Sequence, residues 1–270
     1  PQSAVSVASG ASLVFNLPSS TTFANAISSA GAVSKVDSTT LTLTGAATYT
    51  GSTAITAGEL IFQNNAVPTT SGFTGAGAVA IEPATNSFTS AVTRNYSYAS
   101  TLTGLRLGKP TNTSNITLGS AITITGPITV YGGNITVSGH LNTSAGGAAG
   151  DVLLKASGDI DLGLWKSIRT SGGDVVLWAD SDVSTGGGIS LLAGAAIQTN
   201  GGRIVLAGGA DDGVNGGVPA DGIPDGYARG LGVSGIRTAG SFSIEAGDGS
   251  VLMRGSSNDQ DGILLSASTT

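Results

Sequence analysis

The sequence predicts an all-β chain wound as a right-handed parallel β-solenoid with loop insertions. Three observations carry that reading: the composition, the period of the apolar residues, and a recurring unit. Of 270 residues, 40% are hydrophobic, only 10% are charged and 43 are glycine. Val, Ile and Thr with abundant Gly favour strands and disfavour helices. No stretch reaches the ~18 consecutive apolar residues that mark a membrane span.

The apolar residues alternate with Thr or Ser in short runs, as in Ile122-Thr123-Ile124-Thr125 and Asn134-Ile135-Thr136-Val137. A period of two gives each strand one apolar and one polar face. Gly between the runs permits tight bends. Such strands cannot bury an apolar face alone, but coiling them and stacking the coils buries a continuous column.

The recurring unit is strand, Thr, Gly turn, strand. It is seen at Leu141, Ile168, Ile197 and Ile236 and in the strands Asp151–Leu154, Asp174–Leu177, Arg203–Leu206 and Ser241–Glu245. The first spacings are 27 and 29 residues, and the third is 39, which predicts an insertion of about ten residues near Gly209–Gly230. Length divided by spacing predicts roughly ten coils. Handedness follows from the right-handed preference of parallel crossovers. Residues 116–270 read as the regular solenoid. Residues 1–115 read as a less regular β region with wider coils, a cap or covering loops.

Charge and cysteine remove several classes. Residues 1–150 hold four basic and three acidic side chains, so the net charge of −6 sits in the second half. That balance argues against nucleic acid and against an anionic membrane surface. The absence of Cys removes disulfides, thiolate metal sites and cysteine nucleophiles. The first residues, Pro1-Gln2-Ser3, carry no signal-peptide features, so such a segment is absent here or already removed.

Residues 41–62 contain Leu41-Thr42-Leu43-Thr44-Gly45-Ala46, Tyr49-Thr50-Gly51 and Ala57-Gly58-Glu59-Leu60. This stretch resembles the autotransporter-associated β-strand repeat of bacterial passenger domains. Residues ~120–255, with their Gly-Gly-x-Val/Ile-x-Leu strands, resemble filamentous-haemagglutinin-like adhesins. The resemblance implies an exported protein of the bacterial cell surface, used for adhesion, matrix or filament building. Its expected partners are cell-surface or matrix glycans and proteins, or further copies of itself end to end. No translocating barrel is visible, so the secretion route stays open.

Candidate sites are few. His140 is the only histidine and has no nucleophile elbow beside it, so it reads as a corner residue. Asp159/Asp161, Asp174 and Asp180/Asp182 are the carboxylates that a polysaccharide hydrolase or lyase would need, but they sit beside Gly in turns. The expectation is no catalytic residue, no cofactor and no enzyme. Polysaccharide cleavage is the distant alternative. In the insertion, Asp211, Asp221 and Asp225 are the candidate calcium ligands, because a Gly-bent loop can gather carboxylates. Gly217 and Pro219 stand where alternate acids are expected. Trp165 and Trp178 are a possible sugar platform, with packing the default for Trp178. Sequons at Asn112, Asn115 and Asn134 read as chance, and the Thr rows are too interrupted for an ice-ordering face.

Two readings share this fold. In one the chain is an adhesin passenger segment with a local binding surface at Asp211–Tyr227 or at 63–115. In the other it is a subunit of an extracellular filament or sheath that joins Pro1–Leu17 to Ile263–Thr270.

Overall fold

Strands of two to five residues cannot cover their own apolar side, so the chain coils and each turn pairs with the one before. The computed structural model describes residues 3–184, 186–214 and 217–265. Every pairing between its named strands is parallel. A ten-stranded sheet, here the long face, runs from Thr21–Phe23 to Val251–Met253 without interruption. A seven-stranded face starts at Val92–Arg94 and ends at Ile263–Leu264. The third face is made of two five-stranded sheets, Ser12–Phe15 to Ser97–Tyr98 and Ile122–Thr123 to Phe242–Glu245. The molecule is an all-β parallel solenoid.

The core is one column of stacked aliphatic side chains. On the long face Leu41, Leu60, Val79, Leu105, Ile128, Val152, Val175 and Ile204 follow one another in register, all buried. On the seven-stranded face the column is Ile116, Ile135, Ile160, Ile189 and Ile236. Each such side chain contributes about 1.5–3 kcal/mol when fully buried. Large Ile, Leu and Val fill the inward positions. Gly sits at the bends.

Coil length varies along the rod. Near the start, Leu60 stacks on Leu41 and Thr69 bonds to Tyr49, 20 residues before it. Around Ser97 the step is 26 residues, and from Asp174 to Arg203 it is 29. The next coil takes 47 residues, with Gln198 against Glu245. This corrects the size of the insertion. Ile236 stacks on Ile189 of the seven-stranded face, and Ile244 is the residue above Ile197. Matching Ile236 to Ile197 by sequence skipped one face, because Ile-Arg-Thr and Ser-Ile-Arg-Thr strands look alike on either. The extra chain beyond the previous coil is therefore about 18 residues, almost twice the expected length.

Corners are fixed by side chains that bond to the next coil. Asn115 Oδ1 accepts from Asn134 N–H, Asn134 Oδ1 from Asp159 N–H, and Asp159 Oδ1 from Gly188 N–H, at 2.8–3.0 Å. At another corner Asp151 Oδ1 accepts from Asp174 N–H and Asp174 Oδ1 from Arg203 N–H, both at 2.7 Å. The Thr of the recurring unit makes the third kind. Thr143, Thr170 and Thr199 are buried, and each hydroxyl donates across the Gly turn, to the carbonyls of Gly150, Gly173 and Gly202. Buried polar groups need such partners, so the Thr-Gly consensus is a bonded corner.

Candidate functional site

From Val152–Ala156 onward the outer side of the long face becomes apolar. Leu153, Val176, Val205 and Leu252 are register partners there, and Lys155, Trp178 and Ala207 form the adjacent row. Val175–Ala179 and Ile204–Gly208 are consequently buried on both sides. The unbroken run Val175-Val176-Leu177-Trp178 is the sequence signal of a strand covered twice.

The cover is the insertion. Ile223 packs against a second small apolar cluster made of Val176, Trp178, Val205 and Ala207. Trp178 Nε1 donates to Gly209 O at 2.7 Å, and its ring lies 3.3 Å from Lys155 Nζ. Burial pushes the Lys155 ammonium down in pKa, and Asp211 pulls it back up. The returning limb is held by an antiparallel bridge between Gly208 and Gly226, by Asp225 N–H to Ala210 O at 2.8 Å, and by Arg254 Nη1 to Asp225 O at 2.7 Å. Strand Ala228–Gly230 then pairs with Gly255–Ser257. Outward, the insertion shows Val214, Val218 and Tyr227 to solvent.

The three candidate calcium ligands organise this loop. Asp211 accepts from the N–H groups of Asp221 and Gly222, at 3.3 and 2.9 Å. Asp221 turns back to Ile223 N–H at 2.9 Å. Asp225 is buried, accepts from Gly213 N–H at 2.7 Å and has Arg254 Nη1 at 3.8 Å. Among the described residues no group of three or more His, Asp or Glu is arranged to hold a metal ion.

The other acids are distributed around the coil. Asp174 forms an ion pair with Arg203 at 2.9 Å, and Asp182 bonds Ser184 within its own turn. Asp161 lies mid-strand, facing out between Thr136 and Ser190. Asp180 is fully buried at the base of the insertion, with Arg229 Nε 3.8 Å away and Gly186 N–H donating at 3.2 Å. Burial raises its pKa, against the pull of Arg229. His140 Nδ1 accepts from Ser167 N–H at 3.2 Å and meets Ser167 Oγ at 2.9 Å, so a neutral ring carries its proton on Nε2. Trp178 is buried, and Trp165 is exposed. In 63–115 the rings face inward: Phe73 packs edge-on against Phe62 and Tyr96 and stacks with Tyr98.

One site escaped the sequence reading. Lys35 is completely buried, and its Nζ donates to Asp37 O at 2.6 Å, Asp37 Oδ1 at 3.0 Å and Ala57 O at 3.1 Å. Asp37 also accepts from Leu17 N–H and Thr39 N–H, both at 2.9 Å, and from the Thr39 hydroxyl. The clamp thus ties three successive coils. Bonds from Thr39, Leu17 and Lys35 hold the Asp37 carboxyl far below the usual carboxylate range. Gly58 must be Gly there: its φ is +68°, and a Cβ would sit 2.2 Å from Thr39 O. The alternation of Val33 and Lys35 was the available signal, since a lysine on the apolar phase of a strand must enter the core.

Residues 33–62 match the model of the passenger-associated-transport-repeat. The match takes in 30 of the 270 residues, and this stretch is similar to an autotransporter passenger-type repeat. No curated protein and no solved structure matches it. The matched repeat covers Thr40–Leu43, Thr53–Ile55 and most of Ala32–Lys35 and Glu59–Gln63, and so contains the Lys35–Asp37 clamp. It encloses the stretch 41–62 that the sequence singled out. Export to the cell surface is what a repeat of this kind suggests. Among the described residues no helix is long and apolar enough to cross a membrane.

Proposed function

We propose that the chain is a segment of an exported passenger, a rigid extracellular rod that carries an adhesive loop, and that it is not an enzyme. The observation that supports this is the insertion. It is pinned to the long face by Trp178, Ile223 and Asp225, yet it leaves Val214 57%, Val218 61% and Tyr227 43% exposed. Large apolar side chains held out on a rigid support are how a contact surface is built. The partners fitting this role are surface or matrix glycans and proteins.

The test is a display experiment. Cells presenting the passenger with Val214→Asp, Val218→Asp and Tyr227→Ser together are compared with wild type for attachment to host and neighbouring cells. Loss of attachment with unchanged circular dichroism supports the adhesive loop. Unchanged attachment refutes it.

A second reading is end-to-end assembly with further copies of the chain. Filaments that lengthen with protein concentration in electron micrographs, with or without calcium, would support it. Single short rods at every concentration would refute it.

A further inference from the structure

We propose that the corner bearing Trp165 is a contact site for a polysaccharide of anionic pyranose units. This corner joins the seven-stranded face to the third face, whereas the insertion leaves the long face, so the inference goes beyond the adhesive loop. Elsewhere this corner is Gly119-Ser120-Ala121, Ser138-Gly139-His140, Leu192-Ala193-Gly194 or Ala239-Gly240-Ser241. Among the described residues Trp165 is its only exposed Phe, Tyr or Trp, since Tyr96 at the Asn95-Tyr96 corner is buried; Trp165 is 67% exposed beside an exposed Leu164.

The indole is held, not loose. Trp165 has φ +57°, a left-handed conformation that a bulky side chain rarely adopts, and its backbone N–H donates to Ala193 O at 2.9 Å. The six-membered half of the ring lies over Gly194, where a Cβ would come 2.0 Å from Cε3 and 2.4 Å from Cδ2. Only Gly, itself at φ +75°, lets the ring lie down on the backbone. An aromatic ring held against the backbone yet exposed at the surface fits the apolar face of a pyranose, which stacks through its C–H groups.

Charge specifies the class. Lys166 follows directly, and Arg169 is exposed on the strand that begins two residues after Trp165. Neither forms an ion pair among the described residues, in a chain of net charge −6. His140, one coil back, has Nδ1 occupied by Ser167 and Nε2–H left to donate. An exposed apolar ring, two unpaired cations and an N–H donor suit a sugar that carries a carboxylate or sulfate.

The experiment titrates the intact chain with hexagalacturonate, a sulfated hexasaccharide and maltohexaose, following tryptophan emission. Trp178 is buried, so quenching reports on Trp165. The expected result is saturable quenching by one or both anionic sugars, with Kd about 0.1–1 mM and weakened by salt. Trp165→Ala removes the reporter, so variant affinities are read by ligand-observed NMR: Trp165→Ala should lower affinity roughly tenfold or more with an unchanged circular dichroism spectrum, and Trp178→Phe should not. Lys166→Gln with Arg169→Gln should remove the preference over maltohexaose. The proposal is overturned by no binding, by binding that Trp165→Ala leaves intact, by equal binding of maltohexaose, or by Trp165-dependent capture of a protein with no sugar titration.

Discussion

The first and second halves of the rod solve the same problem in opposite places. Before about residue 100 the coils are short, and polar and aromatic groups go inside: the Lys35–Asp37 clamp, the Tyr49–Thr53–Thr70 hydroxyl chain at 2.6 and 2.9 Å, and the Phe62–Phe73–Tyr96 rings. After it the interior is purely aliphatic. Polar groups move to the corners as Asn, Asp and Thr ladders, and the outer face acquires a second cluster under the insertion. A long coil has room for an aliphatic column and needs its bends pinned. A short coil is pinned from within. The difference shows that a parallel ladder tolerates either placement of its polar groups, inside or at the bends.

The largest expected effect comes from the aliphatic column. Leu177→Ala should destabilise the second half by about 2–5 kcal/mol, read by chemical denaturation, because Val152–Ala156 and Ile204–Gly208 hold the strand on both sides and prevent collapse. Lys35→Met should cost about 3 kcal/mol, by stranding Asp37 and two carbonyls, and should sensitise only the first half to protease. A loss spread evenly over both halves would break the comparison. Trp178→Phe removes the bond to Gly209 and should cost about 1–2 kcal/mol, with cleavage appearing inside the insertion. Thr170→Val and Thr199→Val should each cost about 1 kcal/mol, as lost corner bonds.

Acidification should separate the halves without any substitution. The Asp37 pKa is lowered by folding, so its stabilisation is full above the reference value of 3.8 and is lost as pH falls below it. The Asp180 pKa is raised by burial, so its ionised form opposes folding above that value, and the cost is relieved as pH falls through the raised pKa. Amide exchange should therefore show the base of the insertion tightening at mildly acidic pH, before the Lys35 region loosens at lower pH. Asp180→Asn should abolish the first change and leave the second.

Most of the fold was legible. Alternation, Gly bends and recurrence near 28 residues lead directly to a parallel solenoid, and the Ile168–Ile197 step is a true register pair. The size of the insertion was not legible, because strands on different faces carry the same Ile-x-Thr chemistry and a one-face slip costs nothing in pattern. The Asp residues of the insertion suggested a cation, whereas Asp211 and Asp225 fold the loop by accepting its N–H groups. Trp178 was readable as packing. Lys35 was counted only as charge, since its partners come from coils 20 residues apart.

The register across the insertion is the most direct test, and the chain's lack of Cys makes it clean. Parallel partners at the strand spacing lie within disulfide reach. Gln198→Cys with Glu245→Cys should crosslink on mild oxidation, as should Thr42→Cys with Ile61→Cys in the passenger repeat. Gln198→Cys with Arg237→Cys, the pairing that sequence spacing alone suggests, should stay reduced. Crosslinking of that last pair, with none between 198 and 245, would contradict a continuous solenoid carrying its insertion on the outside.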